Sequence, residues 1–208
     1  MLVIIYVSRE LKSIIDKIHE ICCRVNATKG DILLLLRLLY DEHMGRYKLI
    51  EKTGLSEATI RSLLSHLRRL GYIEKVNRAH SLSKTGKALI EEYLRLVKDE
   101  GYMKTPFNIG RYTYFIHASG LSSNVRTGIE QRDKAIIVGG KGAITLIYRN
   151  KQLLFPDSRE KVSEYYPEFV KSVLLSFNLS DGDVLLFVGA DDKARVRSIA
   201  YDVLLTIL

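Results

Sequence analysis

Residues 49–70 read LIEKTGLSEATIRSLLSHLRRL. Gly54 can take the positive φ that ends a helix. Ser56 offers a hydroxyl to the free amides of the next helix, and Glu57 suits its positive end. Ala58, Ile60, Leu63, Leu64, Leu67 and Leu70 recur at helical spacing as one buried stripe. The opposite face carries Thr59, Arg61, Ser62, Ser65, His66, Arg68 and Arg69. Cations there suit phosphates, and short hydroxyls permit close approach to base edges. The stretch reads as the second half of a helix-turn-helix. An ordinary solvated helix face carries a similar pattern, so the neighbouring residues must decide.

Directly after it comes GYIEKVNRAHSLSKTGKAL, residues 71–89. Tyr72 to Val76 alternates as a short strand, Asn77 to Ala79 makes a turn, and His80 to Leu82 returns. Ser83 then caps a helix expected from about Lys84 to Lys98. Upstream, Thr28-Lys29-Gly30-Asp31 reads as a capping box with Asp31 in the Glu position, opening a helix to about Glu42. Arg46 to Thr53 is a short second helix. Helix, turn, capped helix, basic hairpin and closing helix are the parts of a winged helix.

The sequence here resembles the winged-helix regulator superfamily, including MarR-like and ArsR-like proteins. The resemblance rests on Thr53-Gly54-Leu55-Ser56, on Leu67 through Gly71-Tyr72-Ile73, and on Leu82-Ser83-x-x-Gly86-x-x-Leu89. It covers roughly residues 28 to 98. The whole chain also looks like an archaeal family of winged-helix proteins with a C-terminal domain of unknown function. That likeness is carried by Gly110-Arg111-Tyr112-Thr113-Tyr114, Gly128 to Asp133 and Gly142-Ala143-x-Thr145-Leu146, and it implies a transcription-regulator role with no known ligand.

Charge placement agrees. The 208 residues carry a formal charge of +8. Between Arg46 and Lys87 ten basic residues face three acidic ones, so an excess of seven falls in this one segment. Such a patch is the electrostatic footprint of a DNA binder. Cys22 and Cys23 are adjacent, lack metal-ligand spacing and fit a reduced interior. Met1 to Val7 is apolar but too short to span a bilayer, and it lacks the basic flank and cleavage site of a signal peptide. A cytoplasmic protein is expected, with no membrane partner.

Leu2 to Val7 reads as a strand or as the lead into a helix. From Ser8 to Val25 the pattern is helical, and Leu11, Ile14, Ile18, Ile21 and Val25 make a heptad-like seam. The seam fits either packing on the chain's own helices or a dimer contact. Beyond Gly101, residues 102–108 read as a linker around Pro106. Arg111 to Ser119 reads as a strand, and Ser123 to Val138 as a helix with Val125, Ile129 and Ile136 on its inner face. Strands follow at Ala143 to Tyr148 and Gln152 to Phe155. Asp157 to Glu160 looks like a capping box for a helix to Phe177 that bends or restarts at Pro167. Asp183 to Gly189 is a buried-type strand, and Asp191 or Asp192 starts the last helix.

The expected class is α+β. An N-terminal, mainly α winged helix-turn-helix (1–101) joins a C-terminal βαββαβα ferredoxin-like sandwich (109–208). Gly139, Gly140 and Gly142 follow a helix and open a strand, the reverse of a phosphate loop, and read as a helix stop. The five histidines show no metal-ligand spacing, and no nucleophile–base arrangement stands out. No cofactor, metal or catalytic residue is therefore assigned, and an enzyme is not expected.

The function expected is that of a homodimeric, sequence-specific regulator binding double-stranded DNA. Thr59, Arg61, Ser62 and Ser65 are candidates for base edges. Arg46, Lys48, Ser56, Arg68, Arg69, Arg78, His80 and Lys84 are candidates for the backbone or the minor groove. The C-terminal domain would sense a small molecule or mediate assembly, with Arg126, Glu130 and Asp133 as one wall of an effector pocket. The spacing Arg126, Glu130, Lys134 also fits a plain surface ion-pair ladder. Two rival readings are a winged helix used for protein contact in a transcription or RNA-processing assembly, and an enzyme with its site in the C-terminal domain.

Overall fold

The computed structural model describes residues 2–22 and 25–208, so what was expected of Met1 and Cys23 lies outside the described residues. The first half is helical: α1 (Leu2–Ile21), α2 (Lys29–Asp41), α3 (Arg46–Thr53) and α4 (Glu57–Arg69), then the hairpin β1 (Ile73–Val76) and β2 (Ala79–Leu82), then α5 (Lys84–Leu96). The caps form as the residue types require. Thr28 and Asp31 bond reciprocally at the start of α2. Gly54 ends α3 at φ 69°. Ser56 accepts from the Thr59 amide, and Ser83 from the Gly86 amide.

Ile60, Leu63, Leu64 and Leu67 are buried as the stripe requires, but Ala58 is exposed. It lies two residues before Ile60, about 200° around the helix, and so falls off the inner face. On α1, Leu11, Ile15 and Ile18 are buried, as is Cys22 just after it, and α1 packs against α2 and α5. The seam is thus used within the chain along its described part.

In the second half, β3 (Val97–Tyr102), β4 (Tyr112–Ala118), α6 (Ile129–Ile137), β5 (Gly142–Arg149) and β6 (Gln152–Leu154) precede α7 (Val162–Tyr165), α8 (Pro167–Ser176), β7 (Val184–Ala190) and α9 (Val196–Leu204). The strands form one antiparallel sheet in the order β3-β4-β7-β5-β6. Several expectations are corrected here. The helix expected to reach Lys98 stops at Leu96, and the chain passes straight into β3, which pairs Val97 with Ala118 and Tyr102 with Tyr114. Most of the stretch expected as a linker is the β3–β4 connection. It is anchored by Phe107, whose ring packs on Tyr166, Phe169 and Phe187 at 5.2–5.8 Å.

The element order from Tyr112 onward is as expected, but the sheet is not the split βαβ arrangement. β7 lies between β4 and β5, the place a ferredoxin-like sheet gives to the hairpin strand. The reason is visible in VLLFVGA. All seven positions of β7 are buried, which suits a central strand covered on both faces. The three-residue β6 pairs with β5 at the edge of the sheet, and its Leu154 also bridges to Lys161.

The helix expected over 123–138 is divided. A 3-10 turn at Ser122–Asn124 precedes α6, which starts after Gly128 at φ 81°. The restart rotates the helix, so Gln131 and Ala135 are buried while Ile129 and Ile136 are exposed, the reverse of the expected face. Asp157 to Glu160 forms a turn with Arg159 at φ 58° and caps no helix. The helix does restart at Pro167. α9 begins at Val196, later than the aspartates, and Asp191 instead accepts from the Arg111 amide. Val138 to Ala143 stops α6 and opens β5 as expected.

The two halves share one core. A single cluster of buried side chains runs from Leu11 through α2, α4 and α5 to β4, β7 and α9. A second cluster, under α7 and α8, covers the other face of the sheet. α2 crosses α9 so closely at Gly30 that a Cβ there would collide with the Ser198 carbonyl and lie 2.6 Å from Asp202 Oδ2. No helix among the described residues is long and apolar enough to cross a membrane.

Candidate nucleic-acid interface

α4 and the hairpin converge on the N-terminus of α3. Met44 and His80 pair backbone to backbone at 3.1 and 2.8 Å, which ties the lead into α3 to the returning strand. The concave space enclosed is about 690 Å³ and is lined by Arg46, Arg61, Arg68, Lys75, Arg78 and His80, with Ser65 and Tyr47 beside them. No carboxylate lines it. Arg46 has a loose partner, Glu57 at 3.5 Å. Arg61, Arg68, Lys75 and Arg78 are all exposed.

Of the residues singled out in sequence, Arg46, Arg61, Ser65, Arg68, Arg78 and His80 come together here. Ser56 and Thr59 lie at the start of α4 with their hydroxyls 2.9 Å apart, so both are already engaged in the cap. Ser62 is half-buried, and its carbonyl lies 2.8 Å from His66 Nδ1. Lys48 is paired with Glu42 at 2.5 Å. Arg69 and Lys84 are exposed but outside the cavity.

Sequence reasoning missed Lys75 and Tyr47. Lys75 lies directly opposite His80 in the hairpin register, and the hairpin alternation could have found it. Tyr47 is 78% exposed at the start of α3, and no periodicity marks it. Burial lowers the His80 pKa, and the neighbouring charges of Arg68, Lys75 and Arg46 lower it further. Its imidazole is therefore held neutral in the free protein at neutral pH.

Arg126, Glu130 and Asp133 are all exposed. Arg126 and Glu130 stand 4.0 Å apart with most of each side chain in solvent, and Asp133 pairs with Arg132. Lys134 turns to Asp202 at 3.6 Å. The ladder reading describes Arg126 and Glu130; the ladder does not extend to Lys134.

Buried charges lie elsewhere, several of them at the junction of the halves. Arg195, just before α9, makes a forked pair with Asp31 at 2.7 and 3.1 Å and also donates to the Thr53 carbonyl. Glu100 of β3 accepts from Tyr201 at 2.9 Å, from Arg197 at 3.1 Å and from Tyr93. Burial opposes the Arg197 charge, but Tyr201, Tyr114 and Glu100 more than offset it, so its pKa is raised. Across the sheet, His117 Nε2 lies 2.7 Å from Asp183, which also accepts the amides of Gly120 and Ser180. Burial pushes the Asp183 carboxyl up, but these hydrogen bonds hold it below its ordinary value.

The family described as Domain of unknown function (DUF4443) matches residues 109–207, which is β4 through α9. A solved structure described as a hypothetical protein from Pyrococcus horikoshii OT3 is similar over 88% of this chain and 93% of its own, at 27% identity and a TM-score of 0.70. That likeness therefore takes in residues on both sides of the junction. No curated protein matches the chain.

Proposed function

We propose that residues 28–98 are a winged helix and that the chain is a sequence-specific, double-stranded DNA-binding regulator. The observation that carries this reading is the carboxylate-free basic cavity between α4, the N-terminus of α3 and the hairpin. A cavity crowded with cations and lined by no carboxylate repels itself, and a polyanion relieves it through counterion release. α4 has the form of a recognition helix, capped by Ser56 and buried along one side. Arg61 and Ser65 are its best-placed residues for base edges. Arg46, Arg68, Lys75 and Arg78 serve phosphates, with the hairpin on the backbone or in the minor groove.

Action as a homodimer belongs to the same reading, since two recognition helices spaced one turn apart read a palindrome. The described part of the α1 seam is occupied within the chain. A cytoplasmic location also goes with the reading. Selection from random duplexes with the full chain, at two salt concentrations, tests it. Enrichment of a palindrome with half-sites about one turn apart is expected. Salt-sensitive binding with no enriched sequence refutes the regulator. No binding at low salt refutes DNA as the partner and favours protein contact.

A further inference from the structure

A second cavity, about 610 Å³, opens where the two halves meet. Its walls come from both. Arg37 on α2 and Lys52 at the end of α3 face Lys193 and Arg197 around the start of α9. Tyr102 and Tyr114 of β3 and β4 also line it, their rings edge-on at 5.2 Å. These four cations meet two carboxylates in the lining, Glu51 and Glu100, and Arg37 also donates to Asp41 outside it. Glu100 is already taken up by Tyr93, Tyr201 and Arg197. The Arg37 Nε lies 3.4 Å from Glu100 but makes no hydrogen bond although it is buried. A buried donor in that position gains from an acceptor that enters the cavity. Tyr102 leaves half of its surface open, and Lys193 Nζ lies 5.4 Å over its ring.

The volume suits a small molecule. The charge calls for an anion, and the tyrosines call for a flat body to lie against them. We propose that this cleft binds a small organic anion with a planar ring, its phosphate or carboxylate held by Lys52, Arg37 and Lys193 and its ring against Tyr102. None of these residues belongs to the basic cavity of α4. The two sites are nevertheless mechanically joined. A Cβ at Gly54, in the turn between α3 and α4, would stand 3.0 Å from Ala194 Cβ. Arg195 also holds the Thr53 carbonyl at 3.3 Å. An anion bridging Lys52 and Lys193 draws the 191–195 loop toward α3 and so changes the seating of the turn that aims α4. This last step, control of DNA binding, rests on the proposed function; the binding site itself does not.

The test uses the full chain without DNA, so that failure of the DNA reading leaves its outcome intact. Melting temperature and calorimetric titration are followed with 5′-AMP, with benzoate and with inorganic phosphate. At least one of the two planar acids is expected to raise the melting temperature by several degrees at millimolar concentration, with phosphate alone well behind. Which planar acid acts distinguishes a phosphate ligand from a carboxylate one. The double variant Lys52→Ala/Lys193→Ala, at two exposed positions, is expected to melt like the wild type and to bind about tenfold more weakly or worse. Tyr102→Ala is expected to weaken the planar acids and leave phosphate unchanged. No response to either planar acid, an undiminished response in the double variant, or a full response to phosphate alone overturns the proposal.

Discussion

The basic cavity of α4 and the junction under α9 use the same residue types in opposite ways. At the cavity, Arg61, Arg68, Lys75 and Arg78 stand in solvent with no carboxylate lining the space they share. At the junction, Arg195 and Arg197 keep about a fifth of their side chains exposed and each meets a carboxylate that is nearly closed to solvent. A paired, desolvated arginine fixes geometry, because its fork has one good fit. An exposed, unpaired cluster stores repulsion that only an external anion relieves. The comparison separates the charges that are paired and desolvated at the junction from those that stand exposed around the cavity.

The largest expected effect breaks the first member of the pair. Arg195→Ala leaves the Asp31 carboxylate buried with no cation. It should cost about 3 kcal/mol in urea unfolding, at the low end for buried pairs because Arg195 is 23% exposed. A loss below about 1 kcal/mol would mean that the junction is not held by this pair.

Gly30→Ala should destabilise by about 1–3 kcal/mol, although alanine is the better helix former, because α2 cannot cross α9 with a Cβ in place. A stabilised variant would show that the crossing is looser than described. At the cavity, Arg61→Ala should leave stability nearly unchanged. It should cost about 1–3 kcal/mol on a selected DNA site and little on random DNA. Equal losses on both would remove Arg61 from base reading.

His80 sharpens the contrast further. Its free-state pKa is lowered by burial and by Arg68, Lys75 and Arg46, and a nearby phosphate raises it. Binding therefore takes up protons, and affinity should rise as pH falls through about 6.5 and below, by at most about tenfold per unit. His80→Gln should flatten the profile; an unchanged profile would assign the dependence to another group. The smallest effect belongs to the surface ladder. Arg126→Ala should change stability by no more than about 0.5 kcal/mol and should not alter the response to a planar anion.

What was legible in the sequence followed from short-range chemistry. Thr28, Gly54, Ser56 and Ser83 each cap within three or four residues, so their helices could be placed from neighbours alone. The hairpin turned at Asn77, which takes φ 55°, and the basic residues clustered because α4 and the hairpin are adjacent in sequence. The errors arose where distant partners decide. Val97 leaves a helix pattern because Ala118 offers a strand partner. β7 displaces β6 from the centre because its whole surface is apolar, a property of the assembled sheet. Asp31 was legible as a cap, but its pairing with Arg195, 164 residues away, left no local trace. The second cleft was invisible for the same reason, since Arg37, Tyr102 and Lys193 meet only in three dimensions.

The most direct test of the central claim is the salt dependence of binding to duplex DNA by the full chain, beside the single variants Arg68→Ala, Lys75→Ala and Arg78→Ala. The account expects log K to fall linearly with log salt, each variant to reduce that slope by about one, and stability to stay unchanged. Slopes left intact by all three variants, or no binding at low salt, would contradict it.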